Sequence, residues 1–147
     1  MWILMILGSI PHIYPDRVKL TRTTKMLTAT CHCGAIKVEV PREPASVTDC
    51  NCSICRRYGV RWAYYKDAEV TLTTAPDLET ATDAYVWGDK SLKFIRCKQC
   101  GCVMQWKSLT GDAETSTGVN ARNFEPSIMS KVPVRRLDGA DTWEYIE

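Results

Sequence analysis

From Thr28 onward, apolar and polar residues alternate with the period of a β-strand. Ile36, Val38 and Val40 interleave with Lys37 and Glu39, which places one side of a strand in a core and the other in water. Pro41 and Pro44 end that run. Residues 46–49 read as a short strand that delivers Cys50, and residues 53–58 as one helical turn closed by Gly59. Residues 61–65 and 68–74, rich in aromatic and β-branched side chains, read as two further strands. Residues 76–82 form a polar connection. Residues 84–87 and 91–96 flank Gly88-Asp89 as a hairpin. Strands follow at 103–106, 115–119 and 132–137, with a short helix over 125–130. The pattern predicts a mainly β, antiparallel domain with small helical turns.

Before this pattern lies residues 1–10, MWILMILGSI, an apolar run too short to span a bilayer. It lacks the basic start of an export signal. It reads as a surface or targeting extension, as a packed helix, or as sequence upstream of a true start at Met26. The last is preferred, because Met26 directly precedes the first patterned strand. The expected organisation is an extension over residues 1–26 and one domain over 27–147.

Charge narrows the partners. The chain carries 19 Lys and Arg against 17 Asp and Glu; residues 1–25 hold four of the basic groups and one acid, leaving 15 against 16 in the body. Beyond Arg56-Arg57 and Arg135-Arg136 the body has no basic run. That balance argues against nucleic acid, whose backbone is bound through clustered positive charge. No membrane partner is expected either.

The cysteines change the picture most. All eight fall in clusters: Cys31-His32-Cys33-Gly34, Cys50-Asn51-Cys52-Ser53-Ile54-Cys55, and Cys97-Lys98-Gln99-Cys100-Gly101-Cys102. Thiols one or two residues apart are badly placed to bridge each other and well placed to share a metal ion. Without a convincing export signal they point to metal in a reducing, cytoplasmic compartment. Two pairs end in Cys-Gly, and glycine accepts the left-handed turn of a metal knuckle. Cys31, Cys33, Cys97 and Cys100 therefore read as a four-thiolate site for structural zinc, with iron chemically possible in the same geometry. His32 reads as a turn residue.

Cys50, Cys52 and Cys55 remain. Three protein ligands and one open position is how catalytic zinc is generally held. Cys102 is either a fourth ligand here, closing the site, or a spare thiol; the spare thiol is preferred. Arg56, Arg57 and Arg61 would favour thiolate or receive carboxylates of an acidic thiol. Tyr58, Trp62, Tyr64 and Tyr65 either wall a pocket or alternate between core and surface. Asn120 and Arg122 read equally as substrate contacts or as turn stabilisers. With only His12 and His32 in the chain, no Ser-His-Asp arrangement can be argued, and there is no nucleotide-binding glycine loop.

These motifs, together with Gly118-Val119-Asn120-Ala121-Arg122-Asn123-Phe124, Val132-Pro133-Val134-Arg135 and Leu137-Asp138-Gly139-Ala140, resemble the glutathione-dependent formaldehyde-activating family, also called the centromere protein V/GFA domain. The resemblance covers nearly all of residues 27–147. It implies an Mss4-like fold of twisted antiparallel sheets with zinc knuckles. It also implies two zinc ions per chain: a structural one on Cys31, Cys33, Cys97 and Cys100, and a more labile one, regarded as catalytic, on Cys50, Cys52 and Cys55. The family's reaction joins glutathione and formaldehyde to give S-(hydroxymethyl)glutathione and is classed with carbon–sulfur lyases. The expected partners are thus a glutathione-like thiol and an aldehyde, with Arg56, Arg57, Asn120 and Arg122 as candidate contacts. The competing readings are a non-catalytic zinc-binding interaction module and a thiol/zinc redox sensor.

Overall fold

The structure, a computed structural model, describes residues 25–146. The expectation of a start at Met26 concerns a segment outside the described residues. Eleven strands and three short helices follow in the order β1 (Leu27–Thr30), β2 (Ile36–Val40), β3 (Val47–Cys50), α1 (Cys55–Tyr58), β4 (Trp62–Lys66), β5 (Thr71–Thr74), α2 (Leu78–Ala81), β6 (Thr82–Val86), β7 (Leu92–Cys97), β8 (Val103–Ser108), β9 (Ser116–Asn120), α3 (Pro126–Met129), β10 (Val134–Leu137) and β11 (Tyr145–Ile146). The fold is mainly β, as the alternation predicts. Among the described residues, no helix is long and apolar enough to cross a membrane.

The strands form a three-stranded sheet, β1-β2-β5, and an eight-stranded sheet, β11-β10-β3-β4-β9-β8-β7-β6. Ile36, Val38 and Val40 of β2 are fully buried and pack with Ala63, Tyr65, Met104 and Val119 of the large sheet. Alternation along β4 sends Trp62 to the opposite face, where it joins Cys50, Cys55, Phe94 and Trp106. The large sheet thus has a core on one face and an aromatic layer on the other. Tyr65 is core and Trp62 lies in the aromatic layer, so β4 is an alternating strand rather than a continuous pocket wall.

Four features differ from the sequence reading. β10 pairs with β3 in parallel (Val134↔Val47 to Leu137↔Cys50), whereas every other strand pair is antiparallel. The expected strand over 68–74 is a 3-10 turn at Asp67–Glu69 followed by β5, because the chain leaves the large sheet there for the small one. Glu69 accepts the Lys66 N–H at 3.1 Å to fix that corner. The polar connection at 76–82 contains α2, whose first turn is capped by the Asp77 carboxylate accepting from Thr80 N–H at 2.8 Å. β11, too short for a periodic signal, covers the outer edge of β10. The hairpin β6–β7 forms as read, with Gly88 at φ 64° in its turn.

Candidate metal centres

The first thiol set sits where the two sheets meet. The β1–β2 turn carries Cys31 and Cys33, while Cys97 ends β7 and Cys100 lies in the turn to β8. Both turns close tightly: Gly34 N–H donates to Cys31 O at 3.0 Å, and Gly101 N–H to Cys97 O at 2.9 Å. Both glycines are left-handed, at φ 79° and 74°, which a side chain would strain. The four sulfurs all lie within 4.8 Å of one another. Cys31 Sγ is 3.5 Å from Cys33 Sγ, and Cys33 Sγ is 3.6 Å from Cys97 Sγ. A tetrahedron with metal–sulfur bonds of about 2.3 Å has an edge of about 3.8 Å. The residues fit a zinc ion. Ile36 N–H also points at Cys31 Sγ, at 3.2 Å, as thiolates require.

Ionisation within this set is uneven. Burial opposes it at Cys100, but the N–H groups of Cys102 and Cys33 and the neighbouring thiols hold its pKa down at about 6. Cys33 is pushed up to about 12, the Ala35 N–H being outweighed by burial and by its thiol neighbours. Thiolates this close repel one another, and a cation removes the conflict. His32 is exposed and outside the sulfur set. Cys102, half-buried, packs beside Cys100 in the core and not beside the second set. The alternative that Cys102 closes the second set is therefore corrected: its place after the second knuckle carries it to the first.

The second set lies on the aromatic face. Cys50 ends β3, Cys52 follows in the turn, and Cys55 opens α1. Gly59 closes α1 in the left-handed conformation at φ 63°. The three sulfurs lie within 4.8 Å of one another, and no fourth Cys, His, Asp or Glu joins them among the described residues. Cys52 N–H approaches Cys50 Sγ at 3.4 Å, and the buried Trp62 indole N–H donates to Cys55 Sγ at 3.2 Å. Burial pushes the Cys55 and Cys50 thiols up. Burial acts the same way on Cys52, yet the N–H groups of Cys55 and Ile54 and the neighbouring thiols hold it below its ordinary value. Cys52 is also the most accessible of the three. A soft trithiolate donor set with one side open fits zinc with an exchangeable fourth ligand.

A strap over residues 138–143 crosses this set, and sequence reasoning gave it no role. Asn51, between two of the thiols, holds it with both ends of its side chain. Its Nδ2–H donates to Asp138 Oδ1 at 2.8 Å, and its Oδ1 accepts from Ala140 N–H at 2.8 Å. Gly139 is buried so tightly that a Cβ there would stand 2.5 Å from Cys50 Sγ. The available signal was an asparagine enclosed by cysteines and an Asp-Gly near the C-terminus.

A cleft of about 380 Å³ opens beside Cys52, bordered by Ile54, Arg56, Trp87, Phe94 and Trp143. A neighbouring hollow is lined by Arg57, Tyr58, Tyr85 and Trp87. Arg56 is exposed at the cleft and makes no ion pair among the described residues, whereas Arg57 donates to Ser53 O at 2.6 Å. Arg61 pairs with Asp49 at 3.1 Å. Asn120 and Arg122 line neither hollow. The Asn120 amide is buried and donates to Val103 O at 2.8 Å, while its Oδ1 accepts from the N–H groups of Arg61 and Arg122. Arg122 borders a separate depression with Val47 and Met129.

Fold and sites together define a β protein with two cysteine sets able to hold metal, one locked between sheets and one open to a cleft. The model of the glutathione-dependent formaldehyde-activating enzyme family matches residues 26–133, and the chain belongs to that family. A crystal structure of a Rhodobacter sphaeroides protein superposes with a TM-score of 0.59 at 26% identity, over 74% of this chain and 99% of that one. No curated protein matches the chain by sequence search.

Proposed function

We propose that the chain is a zinc-dependent enzyme of the carbon–sulfur lyase type, joining a small-molecule thiol such as glutathione to an aldehyde such as formaldehyde. The observation that carries this reading is the open trithiol set beside a cleft large enough for both reactants. In the reaction, the thiol sulfur bonds to the carbonyl carbon and the thiol proton ends on the carbonyl oxygen, giving a thiohemiacetal. Nothing is oxidised. Cys50, Cys52 and Cys55 would hold a zinc ion, which would supply Lewis acidity there. The chain's own residues do the rest. Asn51 fixes the strap, Trp62 orients Cys55 through its indole N–H, and the cleft holds thiol and aldehyde together, which alone supplies several kcal/mol. Arg56 borders the cleft, its guanidinium without an ion pair among the described residues and suited to a thiol's carboxylate, with Arg57 beside it. Asn120 acts by capping the end of β9, where Arg122 takes part through its backbone N–H. Zinc on Cys31, Cys33, Cys97 and Cys100 would hold the two sheets together.

The test is exchange NMR of glutathione mixed with formaldehyde, with the zinc-loaded chain and with Cys52→Ser. Faster exchange with wild type alone is expected. Equal rates for both proteins and buffer would remove formaldehyde with glutathione as the substrate pair and favour another thiol–aldehyde pair or a zinc-binding module with no chemistry of its own.

A further inference from the structure

Trp87 and Trp143 are, at 70% and 68%, the most exposed large hydrophobic side chains among the described residues. They come from distant parts of the chain, the β6–β7 turn and the strap, yet both border the cleft that contains Cys52. Isolated exposed apolar residues need no explanation, but two large aromatics brought to one concave site do. Trp143 is held there against its own preference. Its backbone lies at φ 59°, a left-handed conformation rare for a bulky residue, and its N–H donates to Asp138 O at 2.7 Å. The strap that fixes it is tied to Asn51, between two of the thiols. Ile54 and Phe94 add an apolar floor. A one-carbon aldehyde is too small to cover two indole faces.

Resting on the reaction proposed above, we infer that the aldehyde is aromatic and that its ring sits between Trp87 and Trp143 while its carbonyl carbon lies at the trithiol set. Planar rings stack on indole faces with a gain beyond simple burial. Arg56, on the same cleft, then takes a carboxylate of the thiol. The product is the thiohemiacetal of an aryl aldehyde: the carbon–sulfur bond forms, and the thiol proton passes to the former carbonyl oxygen.

The test uses two stable analogues. S-Benzylglutathione is the deoxy form of a benzaldehyde adduct, and S-methylglutathione that of the formaldehyde adduct. Each is titrated calorimetrically into the zinc-loaded full chain. S-Benzylglutathione is expected to bind about tenfold more tightly or better. Trp143→Ala and Trp87→Ala are each expected to remove most of that preference while leaving the S-methyl compound essentially unchanged. Equal affinities in the wild type would overturn the aromatic subsite and leave the proposed reaction standing. Binding of neither compound would overturn both. A tryptophan variant that loses the two compounds in parallel would show a merely structural role and overturn the assignment of that residue.

Discussion

Gly139→Ala tests whether the strap and the trithiol set form one unit. Gly139 has no left-handed backbone, so alanine is conformationally allowed, and the whole penalty comes from its surroundings. The new methyl would lie 2.5 Å from Cys50 Sγ and 3.1 Å from Cys52 Cβ, well inside the about 3.5–4.0 Å of an ordinary nonbonded contact. Retreat is blocked on both sides. Asn51 pins the strap at Asp138 and Ala140. Cys50 ends a strand paired with Leu137, and Asn51 N–H donates to Leu137 O at 3.2 Å. The sulfur must therefore rotate out of the set, or two hydrogen bonds must break. Overpacking of this kind costs about 1–3 kcal/mol, equivalent to about 5–150-fold in metal affinity. Zinc is counted by competition against a chromogenic chelator, with circular dichroism as the folding check. Wild type should take two ions. The variant should keep the first at unchanged affinity and bind the second about 5–150-fold more weakly. A folded variant with both affinities unchanged would refute the argument.

Cys97→Ser should release the first ion and unfold the domain, since a structural zinc contributes on the order of 10 kcal/mol; a folded variant by circular dichroism contradicts that role. Asn51→Ala should leave the fold intact but weaken zinc at the trithiol set, with about 1 kcal/mol lost per hydrogen bond; unchanged zinc competition is the contrary result. The Asn51 amide holds the Asp138 carboxyl below the usual range, so its contribution to the strap is complete above about pH 3.9 and lost as pH falls through the lower folded value. NMR titration of the Asp138 side-chain carbon should give a midpoint below about 3.9, raised by Asn51→Ala; coincident curves would dissolve the link. Gly118→Ala drives a methyl into the Trp106 indole and should lower stability by about 1–3 kcal/mol in chemical denaturation, whereas a neutral result would mean that Trp106 is free to move.

What the sequence reveals depends on how local each signal is. β2 is legible because its alternation matches a strand buried on one face. α1 and the two knuckles are legible because Gly59, Gly34 and Gly101 each close a turn in the left-handed region. The parallel pairing of β10 with β3 is not, since Val134 meets Val47 across most of the chain. Asn120 shows the limit at the site. Near a strand end, an asparagine reads the same as a substrate contact or as a cap, and its bonds to Val103 O and from the Arg122 N–H separate the two. Cys102 shows it again: two positions after Cys100, it has no spacing rule to say which thiol set it joins. Asn51 was hidden for the opposite reason, because the thiols on either side of it drew the chemical reading.

The two thiol sets are mechanically separable, and the alternation of a single strand explains why. Successive residues of β8, Val103 and Met104, point to opposite faces of the large sheet, Val103 to the aromatic layer under Cys50 and Cys55, Met104 to the core that contains Cys31 and Cys97. Asn120 and Asn123 both donate to Val103 O, at 2.8 Å each, which holds this strand against the end of β9. An ion in the first set would join turns of two different sheets, so its loss would release core packing on both. An ion in the second would touch only the end of β3, the first turn of α1 and the turn between them, outside the core that joins the sheets. Its affinity can therefore be tuned through Asn51 and Gly139 without unfolding the domain, which is what an exchangeable fourth ligand position demands of its support.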